Sequence, residues 1–357
     1  MSTSGTQGAA PTPAVAALRA LPGLERAWPD RDRGLVFEAR DSDGRLRAGR
    51  IDAGGSVYTL AYAQDPALPD LSARLLYPHG DGRLVVHRAG RRAVVLGQDR
   101  VRKLVRPGRA ARLADPQAAR PFVRAGLRTA RVLDRSASRL DLELLPGSSL
   151  RDLGDAGMAG WERLVQLWPA VVRPEALPEH TGADEAEVLR SWRRRTLNLG
   201  MLAGTTMAST RVGDAVARVC AVLEQPGDPL AASHRDLHDA QLLWDGSTLS
   251  LLDLDTACLA EPALDVGNLA AHVDLMLAQN RLSTTAHGRV ASLLEDLGRQ
   301  LASRPRLSAY YLASRLRLIH VHAFRPGAET WLPAWTRESL RLVASPGDAW
   351  ADRAPGE

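Results

Sequence analysis

Residues 231–254 read AASHRDLHDAQLLWDGSTLSLLDL and interrupt the helical periodicity that otherwise fills the second half of the chain. The apolar runs Leu242–Trp244 and Leu249–Leu252 flank the turn-forming triplet Asp245-Gly246-Ser247, so the stretch predicts a β-hairpin with polar side chains at both mouths. In such a hairpin Asp236, Gln241 and Asp253 come to neighbouring strand ends, with Asp239 and Asp255 close by. Carboxylates gathered in one place repel one another unless a cation or a proton sits among them. Each acid alone would suit a turn or a cap; together they suit charge neutralisation around a cation, which phosphoryl transfer also requires.

Working outward, the chain changes character at Pro146-Gly147. Beyond it, apolar residues recur at helical spacing over 158–172, 186–199, 213–223, 262–278, 286–301 and 308–324. Before it, short alternating runs predict strands over 34–40, 45–52, 56–63, 83–87, 93–96, 101–105, 128–133 and 140–145, with a Pro-interrupted helix over 110–125. The predicted fold is α+β and two-lobed: a tail with one short helix (1–33, the helix over 14–28 and stopped by Pro29), a β-rich N-lobe (34–145) and a mainly helical C-lobe (146–357). The strands over 34–63 are expected to extend the N-lobe sheet or to mediate dimerisation.

The 357 residues are 45% hydrophobic and 24% charged, as expected of a soluble globular protein, and the default location is the cytoplasm. No apolar stretch reaches the roughly 18–20 residues of a membrane span, so no membrane partner is expected. Cys220 and Cys258 lie far apart in no metal-ligand spacing and are expected to be buried thiols. The net charge of +5 comes from scattered arginines without aromatic interleaving, which argues against nucleic acid as a partner. Of 46 basic residues Lys103 is the one lysine, and it falls mid-strand. A compact ammonium can insert between phosphate oxygens and a carboxylate where a guanidinium fork cannot.

HRDLHDAQ (234–241) resembles the His-x-Asp-x-x-x-x-Asn motif shared by aminoglycoside phosphotransferases, choline kinases and maltokinase-like enzymes. LLDLDTACLAEPALDVGNL (251–269) is similar to the magnesium-binding strand that follows it in that superfamily. The resemblance implies a protein-kinase-like fold using ATP and Mg2+ to phosphorylate a hydroxyl of a small molecule such as a sugar, amino sugar or antibiotic. It implies Asp236 as the catalytic carboxylate, His234 as a brace of its loop, Gln241 and Asp253 as metal ligands, Asp265 as a structural acid after the Pro262 turn, and Asp255 as a supporting acid. It also implies Lys103 as the ATP-phosphate lysine, and LELLPGSSLRDL (142–153) as the hinge, with backbone groups of Glu143 and Leu145 reading the adenine. The resemblance implies a turn over the phosphates at 88–92 or, alternatively, at 79–82.

Two departures from the pattern bear on function. Gln241 replaces the usual asparagine, as in maltokinase-like sequences. No Glu occurs between Lys103 and Glu143 to pair with the lysine, and Asp115 is the substitute on offer. Together these keep a catalytically silent nucleotide- or partner-binding protein as the alternative. A protein kinase ranks low because Asp253-Leu254-Asp255 is not Asp-Phe-Gly. His238 and Asp239 are equally suited to substrate contact and to solvent, and His320 and His322 to packing. Asp184, Glu185, Glu187 and Asp274 are the acids available for a cationic substrate.

Overall fold

The computed structural model describes residues 11–202, 210–345 and 349–350, so most of the predicted N-terminal lead lies outside the described residues. The fold is α+β, with β-sheets in the N-terminal part and helices in the C-terminal part. Helix α1 (Pro13–Arg19) leads into a four-stranded antiparallel meander of β1 (Leu24–Pro29), β2 (Leu35–Arg40), β3 (Leu46–Ile51) and β4 (Val57–Thr59). The helix predicted over 14–28 therefore stops at Arg19. Gly23 takes φ +65° and turns the chain, and Trp28 is a strand residue. A β-carbon at Gly23 would lie 2.2 Å from the carbonyl oxygen of Arg40, so only glycine fits this turn.

The second sheet has the order β5-β6-β7-β10-β9, from β5 (Arg83–Arg88), β6 (Arg92–Leu96) and β7 (Arg100–Val105), with β8 (Arg128–Thr129) outside it, then β9 (Val132–Arg135) and β10 (Arg139–Glu143). Lys103 sits in β7 opposite Leu140 and Val94. Helix α2 (Pro116–Arg124) lies between β7 and β8. The meander does not extend this sheet. It forms a sheet of its own that ties to both halves of the molecule. Glu38 of β2 accepts from the His87 N–H at 2.7 Å, while the Ala27 N–H donates to the Phe324 carbonyl at 3.1 Å. Phe37, Leu35 and Val15 pack with Leu199, Met201 and Phe324 of the helical half.

The helical half comprises α3 (Leu150–Leu153), α4 (Met158–Leu167), α5 (Gly182–Asn198), α6 (Thr210–Leu223), α7 (Ala263–Ala278), α8 (Thr284–Leu301), α9 (Arg304–His322) and α10 (Leu332–Ala344). Thirteen of the 16 residues of α7 are buried, as expected of a helix apolar nearly all round. It meets α9 closely enough that a β-carbon on Gly267 would lie 2.7 Å from the Tyr311 nitrogen. None of the described helices is long and apolar enough to cross a membrane. The predicted hairpin forms as β13 (Leu242–Trp244) and β14 (Leu249–Leu251). It joins β11 (Ser148–Ser149) on one side and β8, in parallel, on the other. Gly147, at φ +99°, lets the chain pass the hairpin: a β-carbon there would sit 2.6 Å from the Trp244 carbonyl oxygen. A two-stranded pair, β12 (Ala231–Ser233) with β15 (Cys258–Ala260), brackets the hairpin in sequence. Cys220 and Cys258 are buried free thiols whose burial pushes them up to about 11 and about 12.

Candidate active site

The loop after β12 is held from beneath by α7. Asp265, in its first turn, accepts from the His234 N–H at 2.7 Å and the Arg235 N–H at 2.8 Å. Burial pushes the Asp265 carboxyl up to about 6 against the pull of those two donors, so it is mostly ionised at neutral pH and suited to accept both. These bonds hold Arg235 at φ +70°, a conformation non-glycine residues adopt at a cost of about 1–3 kcal/mol. Asn268, one helical turn on, donates to the Leu237 carbonyl at 2.9 Å, and Thr256 donates to the His234 carbonyl at 3.1 Å. His234 lies 2.8 Å from the Leu252 carbonyl through Nε2, so that nitrogen carries the proton. The outcome is a loop clamped at 234, 235 and 237 that leaves the Asp236 side chain 46% exposed.

Across from this loop, Lys103 reaches out of β7 to both acids after the hairpin. Its Nζ lies 2.7 Å from Asp253 Oδ1 and 2.8 Å from Asp255 Oδ2. Burial works against the ammonium's charge, but the two carboxylates outweigh it and hold Lys103 above its ordinary value. Burial likewise opposes the charged form of Asp253, and Lys103 overrides it, keeping that carboxyl well below the usual range. Asp253 adopts φ +57°, which turns it out of the line of β14. Asp115 is not the lysine's partner: it caps α2 by accepting from the Gln117 N–H. Asp255 fills that role and also accepts from the Ala114 N–H at 3.1 Å, tying the segment before α2 to the site.

The register of the hairpin sets Leu242 opposite Leu251, and the Leu252 N–H donates to the Gln241 carbonyl at 2.9 Å, which brings the backbone of Gln241 against the residue before Asp253. The Gln241 amide has no hydrogen-bond partner among the described residues. An amide oxygen beside a carboxylate is a hard-oxygen donor set, the kind Mg2+ takes. Farther along, Glu143 ends β10 with its side chain held by Arg128 and Arg131, and its N–H donates to the Arg131 carbonyl. Leu145 is buried, and its N–H has no partner among the described residues.

Several features here were not legible in the sequence. Asp239, 1% exposed, is bridged by Arg151 at 2.5 and 3.1 Å and is not a solvated loop acid. Burial opposes its charge, but His272, whose Nδ1 lies 3.5 Å away, and the Arg151 bridge hold it below the usual range. His238 stacks on His272 of α7 with centroids 4.8 Å apart. His238 Nδ1 accepts from the Ala240 N–H, which leaves the proton on Nε2, 4.0 Å from Asp236 Oδ2. Burial, then the neighbouring His272, pushes His238 down to about 3, so it stays neutral. The pairs i, i+4 on α7 (Asn268 and His272) carry the signal that would have found this wall: polar residues on an otherwise apolar helix.

The acids considered for a cationic substrate are all engaged. Asp184 closes a capping box with Thr181, Glu185 lies 3.0 Å from His180, Glu187 pairs with Arg194, and Asp274 is held by Arg315, Tyr311 and His287.

No family model matches the sequence, and no curated protein is similar to it at a meaningful level. Solved structures are similar. A thermostable mutant of aminoglycoside phosphotransferase APH(4)-Ia, in ternary complex with AMP-PNP and hygromycin B, matches with a TM-score of 0.54 at 15% identity, over 77% of this chain and 97% of that one. Aminoglycoside phosphotransferase APH(4)-Ia itself matches with a TM-score of 0.53 at 15% identity, over 75% and 94%. The chain thus has the α+β, two-lobed fold of aminoglycoside phosphotransferase APH(4)-Ia, with its sheets in the N-terminal part and its helices in the C-terminal part.

Proposed function

We propose that this chain is an ATP- and Mg2+-dependent O-phosphotransferase acting on a hydroxyl of a small molecule. The observation that carries the reading is the pairing of Lys103, from the sheet, with Asp253 and Asp255 beside an exposed Asp236. In this reading the cation and the three acids share one cleft, which supports transfer of a multiply charged phosphoryl group. The AMP-PNP and hygromycin B bound by the similar structure agree with this class of chemistry.

In this reading the nucleotide lies under β5–β7 with its adenine against the Glu143–Leu145 segment. Lys103 would meet phosphate oxygens, and Gln241 and Asp253 would hold the metal. Bound there, Mg2+ would neutralise charge on the transferring phosphate. Asp236 orients the acceptor hydroxyl and takes its proton as the oxygen bonds to the γ-phosphorus. The bond from that phosphorus to the bridging oxygen breaks, and ADP leaves. His234, Asp265 and Asn268 keep Asp236 in place, and His238 Nε2–H faces its carboxylate.

The present pairing of Lys103 with both acids also suits a nucleotide-binding protein without turnover. A coupled assay of ATP consumption across sugars, amino sugars, aminoglycosides and macrolides separates the two. Turnover by wild type and its loss in Asp236→Asn supports the enzyme; AMP-PNP binding without turnover on any acceptor favours the silent protein.

A further inference from the structure

Asp265, Asn268 and His272 lie on successive turns of α7 and form the bed of the loop that carries Asp236. Asp265 takes the N–H groups of His234 and Arg235 on one side of Asp236, and His272 stacks on His238. On the other side Asn268 donates from Nδ2 to the Leu237 carbonyl at 2.9 Å. No other group among the described residues bonds that carbonyl, so the backbone just after Asp236 hangs on this one amide. Asn268 is fully buried, and a residue of α9 meets its other end: Arg317 donates from Nη2 to Asn268 Oδ1 at 2.6 Å.

The fully buried arginines of α9 face acids. Arg306 lies 2.5 Å from Glu261, and Arg315 lies 2.7 Å from Asp274. Arg317 meets no carboxylate among the described residues; it bonds a neutral amide, and its Nε is buried without a partner. A guanidinium placed so loses hydration without gaining a counter-ion, which makes it a poor contributor to stability alone. What it supplies is orientation. An asparagine amide has a donor end and an acceptor end, and arginine only donates. Oδ1 must therefore face Arg317, and Nδ2 must face the Leu237 carbonyl. The positive charge also polarises the amide and strengthens the bond made by its far end. Without Arg317 the buried Oδ1 has no donor, and the amide gains by turning away from the loop to find one.

We infer that Arg317 is a positioning residue for phosphoryl transfer: acting through Asn268, it holds the Leu237 carbonyl and so keeps the Asp236 carboxylate aligned with the acceptor hydroxyl. This rests on the phosphotransferase reading, in which Asp236 takes that hydroxyl's proton. Because Arg317 acts on the loop through Asn268, its loss falls on kcat rather than on nucleotide affinity. A displacement of about 1 Å at a reacting group costs up to about a hundredfold in rate.

The test compares Arg317→Met, Arg317→Lys, Asn268→Leu and the double change Arg317→Met with Asn268→Leu. Each is measured for ATP turnover on an acceptor found in the coupled screen, for AMP-PNP affinity and for thermal midpoint, with rates taken well below every midpoint. Arg317→Met lowers kcat by about tenfold or more and leaves AMP-PNP affinity within about twofold. Arg317→Lys, which still has a donor for Oδ1, keeps kcat within about threefold of wild type. On top of Asn268→Leu, Arg317→Met brings no further loss, because the path to the loop is already cut. Losses that multiply in the double change overturn the inference, as do an unchanged kcat in Arg317→Met, a parallel fall in AMP-PNP affinity, or Arg317→Lys as slow as Arg317→Met. Wild type supplies a readout independent of whether the variants fold: in nucleotide-free protein the side-chain amide protons of Asn268 exchange slowly by NMR. Exchange as fast as at the exposed Asn198 and Asn280 overturns the inference. Absence of turnover by wild type on every acceptor defeats the phosphotransferase reading instead. The exchange measurement, made without nucleotide or acceptor on wild type and Arg317→Met, then decides whether Arg317 holds the loop.

Discussion

Replacing Lys103 by methionine keeps the length of the side chain and removes the one charge that separates two carboxylates. Lys103, Asp253 and Asp255 have side chains 18%, 30% and 18% exposed. Breaking a fully buried pair costs about 3–5 kcal/mol, and partial exposure here brings the expected loss to about 2–3 kcal/mol. The pH dependence has a definite sign. The Asp253 carboxyl is depressed in the folded protein, so its contribution is complete above the ordinary carboxylate value of about 4 and is lost as pH falls below that. In Lys103→Met that contribution is missing and Asp253 and Asp255 repel, so the deficit is largest at neutral pH and shrinks as one carboxyl takes a proton. Urea unfolding of wild type and variant at about pH 7.5 and about pH 5 measures both. Millimolar Mg2+ should also restore part of the variant's stability at neutral pH by taking the ammonium's place. A deficit below about 0.5 kcal/mol, or one that does not shrink on acidification, would refute the reasoning.

Three further outcomes follow from the geometry. Arg151→Met strands Asp239 as a buried carboxylate and should destabilise the fold by about 3 kcal/mol in urea, whereas the double change with Asp239→Asn should recover much of it. Gly267→Ala drives a methyl to 2.7 Å from the Tyr311 nitrogen and should lower stability by about 1–3 kcal/mol despite alanine's better helix propensity; a neutral or stabilising result in thermal unfolding contradicts the close α7–α9 contact. His238→Ala should lower kcat by about tenfold with AMP-PNP affinity unchanged, because its Nε2 faces the Asp236 carboxylate at 4.0 Å.

The hairpin, the strand carrying Lys103 and six of the C-terminal helices could be read from periodicity because each has one dominant signal: alternation, a turn triplet or an amphipathic stripe. The fate of Asp255 could not, because its partner is 152 residues away and sequence gives no distance across the cleft. Asp115 looked available for the same reason, yet its position just before Pro116 makes it a natural N-cap. The helix expected to run to Trp28 stops at Arg19, and the positive φ of Gly23 then turns the chain into a strand despite a plausible apolar spacing. The arginines around Trp28 looked like scattered surface charge, since Arg26, Arg88 and Arg325 converge only when the first meander bridges both halves of the molecule.

The central claim is that a metal–nucleotide complex is gripped by Gln241, Asp253 and Lys103, and calorimetric titration of AMP-PNP tests it most directly. One saturable site that requires Mg2+, weakened about tenfold or more by Gln241→Ala and by Asp253→Asn, is the result expected. Absence of binding, or binding indifferent to Mg2+ and to both substitutions, would contradict it.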